Sequence, residues 1–166
     1  MSTPVIRLAD LVETLARHEV EFILVGGAAA VLHGAPVVTY DVDIVHRRTR
    51  PNIERLLTAL SDLGATYRHD ARGLSPQVSH LESSGHQLLM THLGPLDVLG
   101  SIEDGTTYDD LLPATVEVEV RGRRIRAISL ARLVESKERV GRPKDLAVLD
   151  LLRAVLVERR RQEAGD

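Results

Sequence analysis

The chain has 166 residues, of which 43% are hydrophobic, a formal net charge of -3 and no cysteine. This length fits one compact domain, and the lack of cysteine excludes a disulfide scaffold, a thiolate metal site and a cysteine nucleophile. One Phe, three Tyr and no Trp leave few aromatic rings on which a single-stranded nucleic acid would stack. We therefore expect a single domain over residues 1–166 with an aliphatic core.

The chain shows no targeting or membrane-spanning segment in its sequence. Its N-terminal residues lack the basic start and apolar core of a signal peptide. No stretch approaches the roughly 20 apolar residues that are needed to cross a bilayer. We expect a cytoplasmic protein without a membrane partner.

The first half of the chain is predicted to alternate helices and strands. Apolar residues spaced three and four apart indicate helices, whereas short runs rich in β-branched residues indicate strands. The predicted elements are a helix at 8–18, a strand at 21–25, a brief helix at 28–33, a strand at 37–46 and an amphipathic helix at 51–64.

The second half is predicted to contain several strands and then two helices. Glycine and serine turns separate the strands, and Arg121-Gly122 is typical of a hairpin turn. The predicted elements are strands near 78–82, 86–92 and 95–99, hairpin strands at 115–120 and 123–128, and helices at 129–140 and 143–160. This order indicates a mixed α+β class, with a core over 20–128 and C-terminal helices over 129–161.

Two acidic residues lie in the predicted strand 37–46. Side chains two apart point to the same face of a strand, so Asp41 and Asp43 would project together. At a separation of 4 Å and an effective dielectric constant of 20, two such charges repel by about 4 kcal/mol. A divalent cation such as Mg²⁺ would relieve this repulsion. The alternative is an exposed strand end on which both residues only aid solubility.

A glycine pair ends the first predicted strand and precedes a helix. Gly26 and Gly27 would let the backbone approach a phosphate, and the helix N-terminus would offer free N–H groups. The alternative is an ordinary tight turn. The glycine pair and the two aspartates lie within about 20 residues, and this proximity favours a phosphate and metal site.

The combined pattern resembles a known superfamily. The order of strand, Gly26-Gly27, helix, Thr39, Asp41 and Asp43 is similar to that of the nucleotidyltransferases, which have a polymerase-β-like fold. It looks closest to the small bacterial branch of AbiEii-type toxins and minimal nucleotidyltransferases. The resemblance implies a palm with a mixed β-sheet flanked by helices and a C-terminal helical pair.

The resemblance also implies the residues of an active site. A third carboxylate on a neighbouring strand is matched by Asp97. Magnesium, as one or two ions, or manganese in its place, would be held by Asp41, Asp43 and Asp97, which would also be the catalytic residues. The implied nucleotide-binding residues are Gly26, Gly27, Thr39, Lys137 and Lys144. The alternatives are an edge position for Asp97, ordinary surface charge for the lysines, and for Thr39 a strand former or a hydroxyl that positions Asp41.

The implied activity is metal-dependent transfer of a nucleoside monophosphate from a nucleoside triphosphate to a hydroxyl acceptor. The acceptor is a protein, a tRNA end or a small molecule such as an antibiotic, and a toxin–antitoxin system would add a cognate protein partner. The alternative is a non-catalytic binding or regulatory subunit. Val37, where relatives often have Arg, favours this alternative, whereas the three aspartates favour the enzyme. Gly27, where relatives often have Ser, is a second departure from the family pattern.

Overall fold

The computed structural model describes residues 7–165; both ends of the predicted domain, residues 1–6 and 166, lie outside this range. The helices of the described part precede, alternate with and follow the strands, and the last two are consecutive. They are α1 (Leu8–Arg17), α2 (Gly26–Leu32), α3 (Arg50–Asp62), α4 (Val78–Glu82), α5 (Tyr108–Leu111), α6 (Leu130–Val140) and α7 (Pro143–Gly165), with a 3-10 turn at Leu112–Ala114.

The strands form one mixed sheet. They are β1 (Phe22–Val25), β2 (Val42–His46), β3 (Thr66–Tyr67), β4 (His86–Thr91), β5 (Gly94–Leu99), β6 (Thr115–Val120) and β7 (Arg123–Ile128). Their order across the sheet is β3-β4-β5-β2-β1-β7-β6, with β2 parallel to β5, β1 parallel to β7 and the other pairs antiparallel. The predicted α+β class and C-terminal helical pair are confirmed.

Three predicted elements differ from the structure. Residues 78–82 form helix α4 instead of a strand, because Gln77 and His80 cap its first turn, with the Gln77 N–H donating to His80 Nδ1 at 3.0 Å. The strand predicted at 37–46 begins only at Val42, after an irregular segment. Helix α2 begins at Gly26 itself, so both glycines belong to its first turn.

Aliphatic side chains of the central strands form the core. Ile44 on β2 and Leu96 and Val98 on β5 are all 0% exposed, and they alternate with residues that point to the other face. Asp43 and Asp97 occupy two of the alternate positions, and they are direct partners in the parallel register of β2 and β5. The same alternation that builds the core therefore brings the two carboxylates together.

A buried histidine connects α2 to the last helix. His33 Nε2 bonds the carbonyl oxygen of Ile128 at 2.7 Å, and Arg159 donates to His33 Nδ1 at 2.8 Å and to the His33 carbonyl at 2.6 Å. Because Nδ1 accepts a hydrogen bond, Nε2 carries the proton and the ring is neutral. Burial lowers the pKa of His33, and the charge of Arg159 lowers it further.

We expect this histidine to make stability fall in mild acid. A His whose pKa is lowered by folding contributes stability above its ordinary pKa near 6.5, and this contribution is lost as the pH falls toward the folded value. When the pH is lowered from 7.5 to 5, the Tm of His33→Gln should fall by about 2 to 4 °C less than the Tm of the natural chain. The exposed His86 provides the control variant His86→Gln, which should keep the natural slope. Equal slopes for all three proteins would contradict the assignment.

Between residues 7 and 165, no helix combines the length and the apolar character that crossing a membrane requires.

Candidate active site

Three carboxylates converge at one end of the paired strands β2 and β5. Asp43 and Asp97 lie side by side on these strands, and Asp41 lies just before β2. Each residue offers a carboxylate oxygen, and these oxygens all lie within 4.8 Å of one another. The structure thus brings together the three acids that the sequence singled out, while their roles in metal binding and catalysis stay predictions.

Two of these carboxyl groups, Asp43 and Asp41, have raised pKa values. Burial raises the pKa of Asp43 to about 8, and the charges of Asp41 and Asp97 add to this shift. Burial and the charge of Asp97 also raise the pKa of Asp41. One oxygen of Asp43, Oδ1, is buried without a hydrogen-bond partner in the described part of the chain. Such an oxygen is costly unless a ligand satisfies it.

This donor set fits a divalent cation. All three side chains offer oxygen, the ligand atom that Mg²⁺ and Mn²⁺ take from proteins. A cation at this position would compensate the charge of Asp41, Asp43 and Asp97 and give the partnerless Asp43 oxygen a ligand. The donor set thus fits a metal ion, and metal binding by these residues stays a prediction.

The glycine pair lies directly against this cluster. Val25, the last residue of β1, pairs with Asp43, so the chain enters α2 beside the carboxylates. Gly26 has φ +65°, and a Cβ on this residue would collide with Asp43 Oδ2. A Cβ on Gly27 would lie 2.8 Å from Thr39 Oγ1. The absence of a side chain at Gly26 lets this turn pack against Asp43, and its absence at Gly27 lets the turn pack against Thr39.

Thr39 shapes the segment that carries Asp41. Its hydroxyl donates to the backbone carbonyl of Asp41 at 2.8 Å, an interaction that fixes the local turn. This hydroxyl therefore holds the Asp41 backbone, and a contact between Thr39 and nucleotide stays a prediction.

The two predicted lysines have different surroundings. Lys137 Nζ lies 3.1 Å from Asp145 Oδ1, and Arg142 Nε donates to Asp145 Oδ2 at 2.7 Å. Asp145 is only 2% exposed. Lys144 is exposed, forms no ion pair with a residue between 7 and 165, and has a charge that lowers the pKa of Asp41. The structure brings Lys144 toward the cluster and places Lys137 in a contact inside the α6–α7 corner.

Arg68 is a site residue that the sequence did not reveal. Its Nη2 donates to Asp97 Oδ1 at 2.6 Å, and its Nη1 donates to the carbonyl of Leu89 at 2.9 Å. Arg68 follows β3, a strand of two residues that has no periodicity to predict it. No motif in the sequence relates this arginine to Asp97, which lies 29 residues away.

Comparison with solved structures defines the class of fold. The chain is similar to a Thermotoga maritima protein assigned as a nucleotidyltransferase, with TM-score 0.56, 20% identity and coverage of 93% of this chain and 96% of that one. It is also similar to the lincosamide antibiotic adenylyltransferase LnuA (TM-score 0.62, 15% identity, 89% and 95%) and to the antibiotic-resistance factor ANT(2'')-Ia (0.54, 12%, 95% and 93%). The fold is that of the nucleotidyltransferases, as the sequence predicted.

The sequence assigns the family. The pattern of the aminoglycoside-2''-adenylyltransferase family matches residues 7–149, most of the chain. The chain belongs to this family and is a nucleotidyltransferase. No curated protein matches it significantly.

Proposed function

We propose that this protein transfers AMP from ATP to a hydroxyl group of a small-molecule antibiotic, with an aminoglycoside as the first candidate. The observation that carries the proposal is the convergence of Asp41, Asp43 and Asp97 within 4.8 Å, with one Asp43 oxygen buried and without a partner. Membership of an adenylyltransferase family supports the transferred group and the acceptor class. It also favours the enzyme over a non-catalytic subunit.

The three aspartates would hold Mg²⁺, or Mn²⁺ in its place. When bound, the cation would compensate the charge of the triphosphate and of the leaving pyrophosphate. The acceptor oxygen attacks the α-phosphorus, the bond to the pyrophosphate oxygen breaks, and the hydroxyl proton passes to Asp97. Asp97 suits this role because it lies on β5, at the side of the cluster away from the glycine turn.

The nucleotide would lie between the glycine turn and the α6–α7 corner. Gly26 and Gly27 begin α2 beside Asp43 and Thr39, and their backbone N–H groups would bind the phosphate oxygens. Lys144 is the cation that would contact the triphosphate, since its charge already acts on Asp41. Thr39 would support this arrangement through its bond to the Asp41 backbone. Lys137 would act indirectly, by holding Asp145.

An acceptor panel tests the proposal. The protein is incubated with each α-labelled nucleoside triphosphate, Mg²⁺ and one acceptor from a set of aminoglycosides, lincosamides, tRNA and proteins. We expect acid-stable transfer from ATP to an aminoglycoside. Transfer only to tRNA or protein would contradict the acceptor class. If calorimetry also detected neither Mg²⁺ nor triphosphate binding, the non-catalytic alternative would replace the enzyme.

Lys144→Gln should weaken nucleotide binding more than it slows the chemical step. We expect the KM for ATP to rise about tenfold, with kcat changed less than about threefold, because a contact to non-reacting phosphates stabilises ground and transition states alike. The exposed Arg160 provides the control Arg160→Gln. This change removes a positive charge near the C-terminal end of α7, whereas Lys144 lies at its start. A KM shift of the same size in both variants would show a general charge effect instead of a contact.

Two predictions from the sequence remain to be tested, namely a cytoplasmic location and a toxin–antitoxin partner. Use of ATP is consistent with a cytoplasmic location. A toxin–antitoxin partner, which the resemblance to AbiEii-type proteins implied, is less consistent with the matching family of aminoglycoside adenylyltransferases. Co-purification with the product of a neighbouring gene would test for such a partner.

A further inference from the structure

Arg68 is fixed in a partly buried position at the edge of the acidic cluster. Its backbone N–H donates to the carbonyl of Leu88, and its guanidinium bonds both the Leu89 carbonyl and Asp97 Oδ1. Only 15% of its side chain and 14% of that of Asp97 are exposed. A guanidinium held by a backbone carbonyl and a partly buried carboxylate has a defined position, unlike the exposed arginines of this chain.

Arg68 is the cation in direct contact with the acidic cluster, through its ion pair with Asp97. Among the described residues, the cluster of three carboxylates has one hydrogen-bonded cation, Arg68, with Lys144 as an exposed second charge. In the protein without metal, Arg68 is therefore the main fixed counter-charge of the cluster.

The geometry points to Arg68 as a competitor of the metal ion. The guanidinium of Arg68 occupies a carboxylate oxygen of Asp97 and so sets the cation affinity of the site. This inference rests on the proposed metal site. A divalent cation that approaches Asp97 meets a like charge bonded to the same carboxylate, and the repulsion weakens binding. The negative charge of a bound triphosphate would offset this repulsion, so metal affinity should rise when nucleotide is present.

The test is Mn²⁺ binding measured by electron paramagnetic resonance, without and with a non-hydrolysable ATP analogue. Without nucleotide, Arg68→Gln should bind Mn²⁺ at least about tenfold more tightly than the natural chain, because a positive charge beside the cation is removed. Arg68→Lys keeps the charge and should stay within about threefold of the natural affinity. With the ATP analogue, the affinities of the three proteins should converge.

A matched control lies four residues away. Among residues 7–165, Arg72 forms an ion pair with Asp70 alone, and its side chain is largely exposed. Arg72→Gln should therefore leave Mn²⁺ affinity unchanged. A purely positioning role for Arg68 predicts the opposite sign, since loss of the bond would misplace Asp97 and weaken Mn²⁺ binding in Arg68→Gln. Equal or weaker binding by Arg68→Gln, or equal tightening by Arg72→Gln, overturns the inference.

The experiment also separates this inference from the proposed function. If the natural chain fails to bind Mn²⁺ with or without the analogue, the metal site and the inference both fail. If the natural chain binds but Arg68→Gln binds no more tightly, only the inference fails. Where Arg68→Gln is unfolded without metal, Mn²⁺ should restore its circular dichroism spectrum by replacing the lost counter-charge, and failure to do so overturns the inference.

Discussion

Replacing Asp43 with Asn is expected to lower kcat/KM for nucleotidyl transfer at least about a thousandfold, while it stabilises the metal-free protein. Asn keeps the shape of the side chain but removes the charge that a cation would bind. In the metal-free fold the ionised carboxylate is disfavoured, since burial and two neighbouring carboxylates raise the pKa of Asp43 to about 8. At neutral pH the folded chain must therefore bind a proton that the unfolded chain releases, and this uptake lowers stability. We expect a stability gain of about 1 to 2 kcal/mol, or about 3 to 6 °C in Tm.

The measurement combines a transfer assay with thermal unfolding in a chelating buffer. Asp150, whose side chain is 94% exposed, provides the control variant Asp150→Asn, which should change neither quantity. A variant Asp43→Asn that is both inactive and less stable than the natural chain would indicate a structural role for the carboxylate. Retention of most activity would remove Asp43 from the active site.

Gly26→Ala is expected to cause the second largest loss of activity. Its methyl group would collide with Asp43 Oδ2, so the carboxylate must move. Because displacement of a reacting group by about 1 Å costs about a hundredfold in rate, we expect activity to fall by at least that factor. Backbone strain at φ +65° adds about 1 kcal/mol of destabilisation.

A second glycine separates the collision from the strain. Gly73 has φ +64°, almost the same as Gly26, but a Cβ there would meet no atom within 4 Å. Gly73→Ala should lose about 1 kcal/mol of stability and keep natural activity. If Gly26→Ala and Gly73→Ala gave the same small change in kcat, the close packing of the glycine turn against Asp43 would not be required for catalysis.

The central part of the site could be predicted because it follows from local rules. Alternation along β2 and β5 places Asp43 and Asp97 opposite the apolar residues, and this pattern is visible in the sequence. The glycine pair marks the close approach between the strand and α2. Register is not written in the sequence, however, and only the structure shows that these two aspartates are direct neighbours.

Other features depend on contacts between distant residues. The position of Arg68 beside Asp97 is set by the pairing of β3 with β4 and of β4 with β5, which no local pattern indicates. The strand predicted at 78–82 is instead a helix, because contacts between Gln77 and His80 cap its first turn. Propensity failed where a tertiary or capping contact decided the conformation.

The buried carboxylate of Asp145 has a consequence for the thermodynamics of ligand binding. Two cations, Lys137 and Arg142, bond it and hold its pKa below the ordinary value although burial alone would raise it. These two ion pairs tie α6 and the residue before α7 to the first turn of α7. Lys144 precedes Asp145 in that turn, so nucleotide binding should carry a smaller entropic penalty than it would with a lysine on a loop without such contacts.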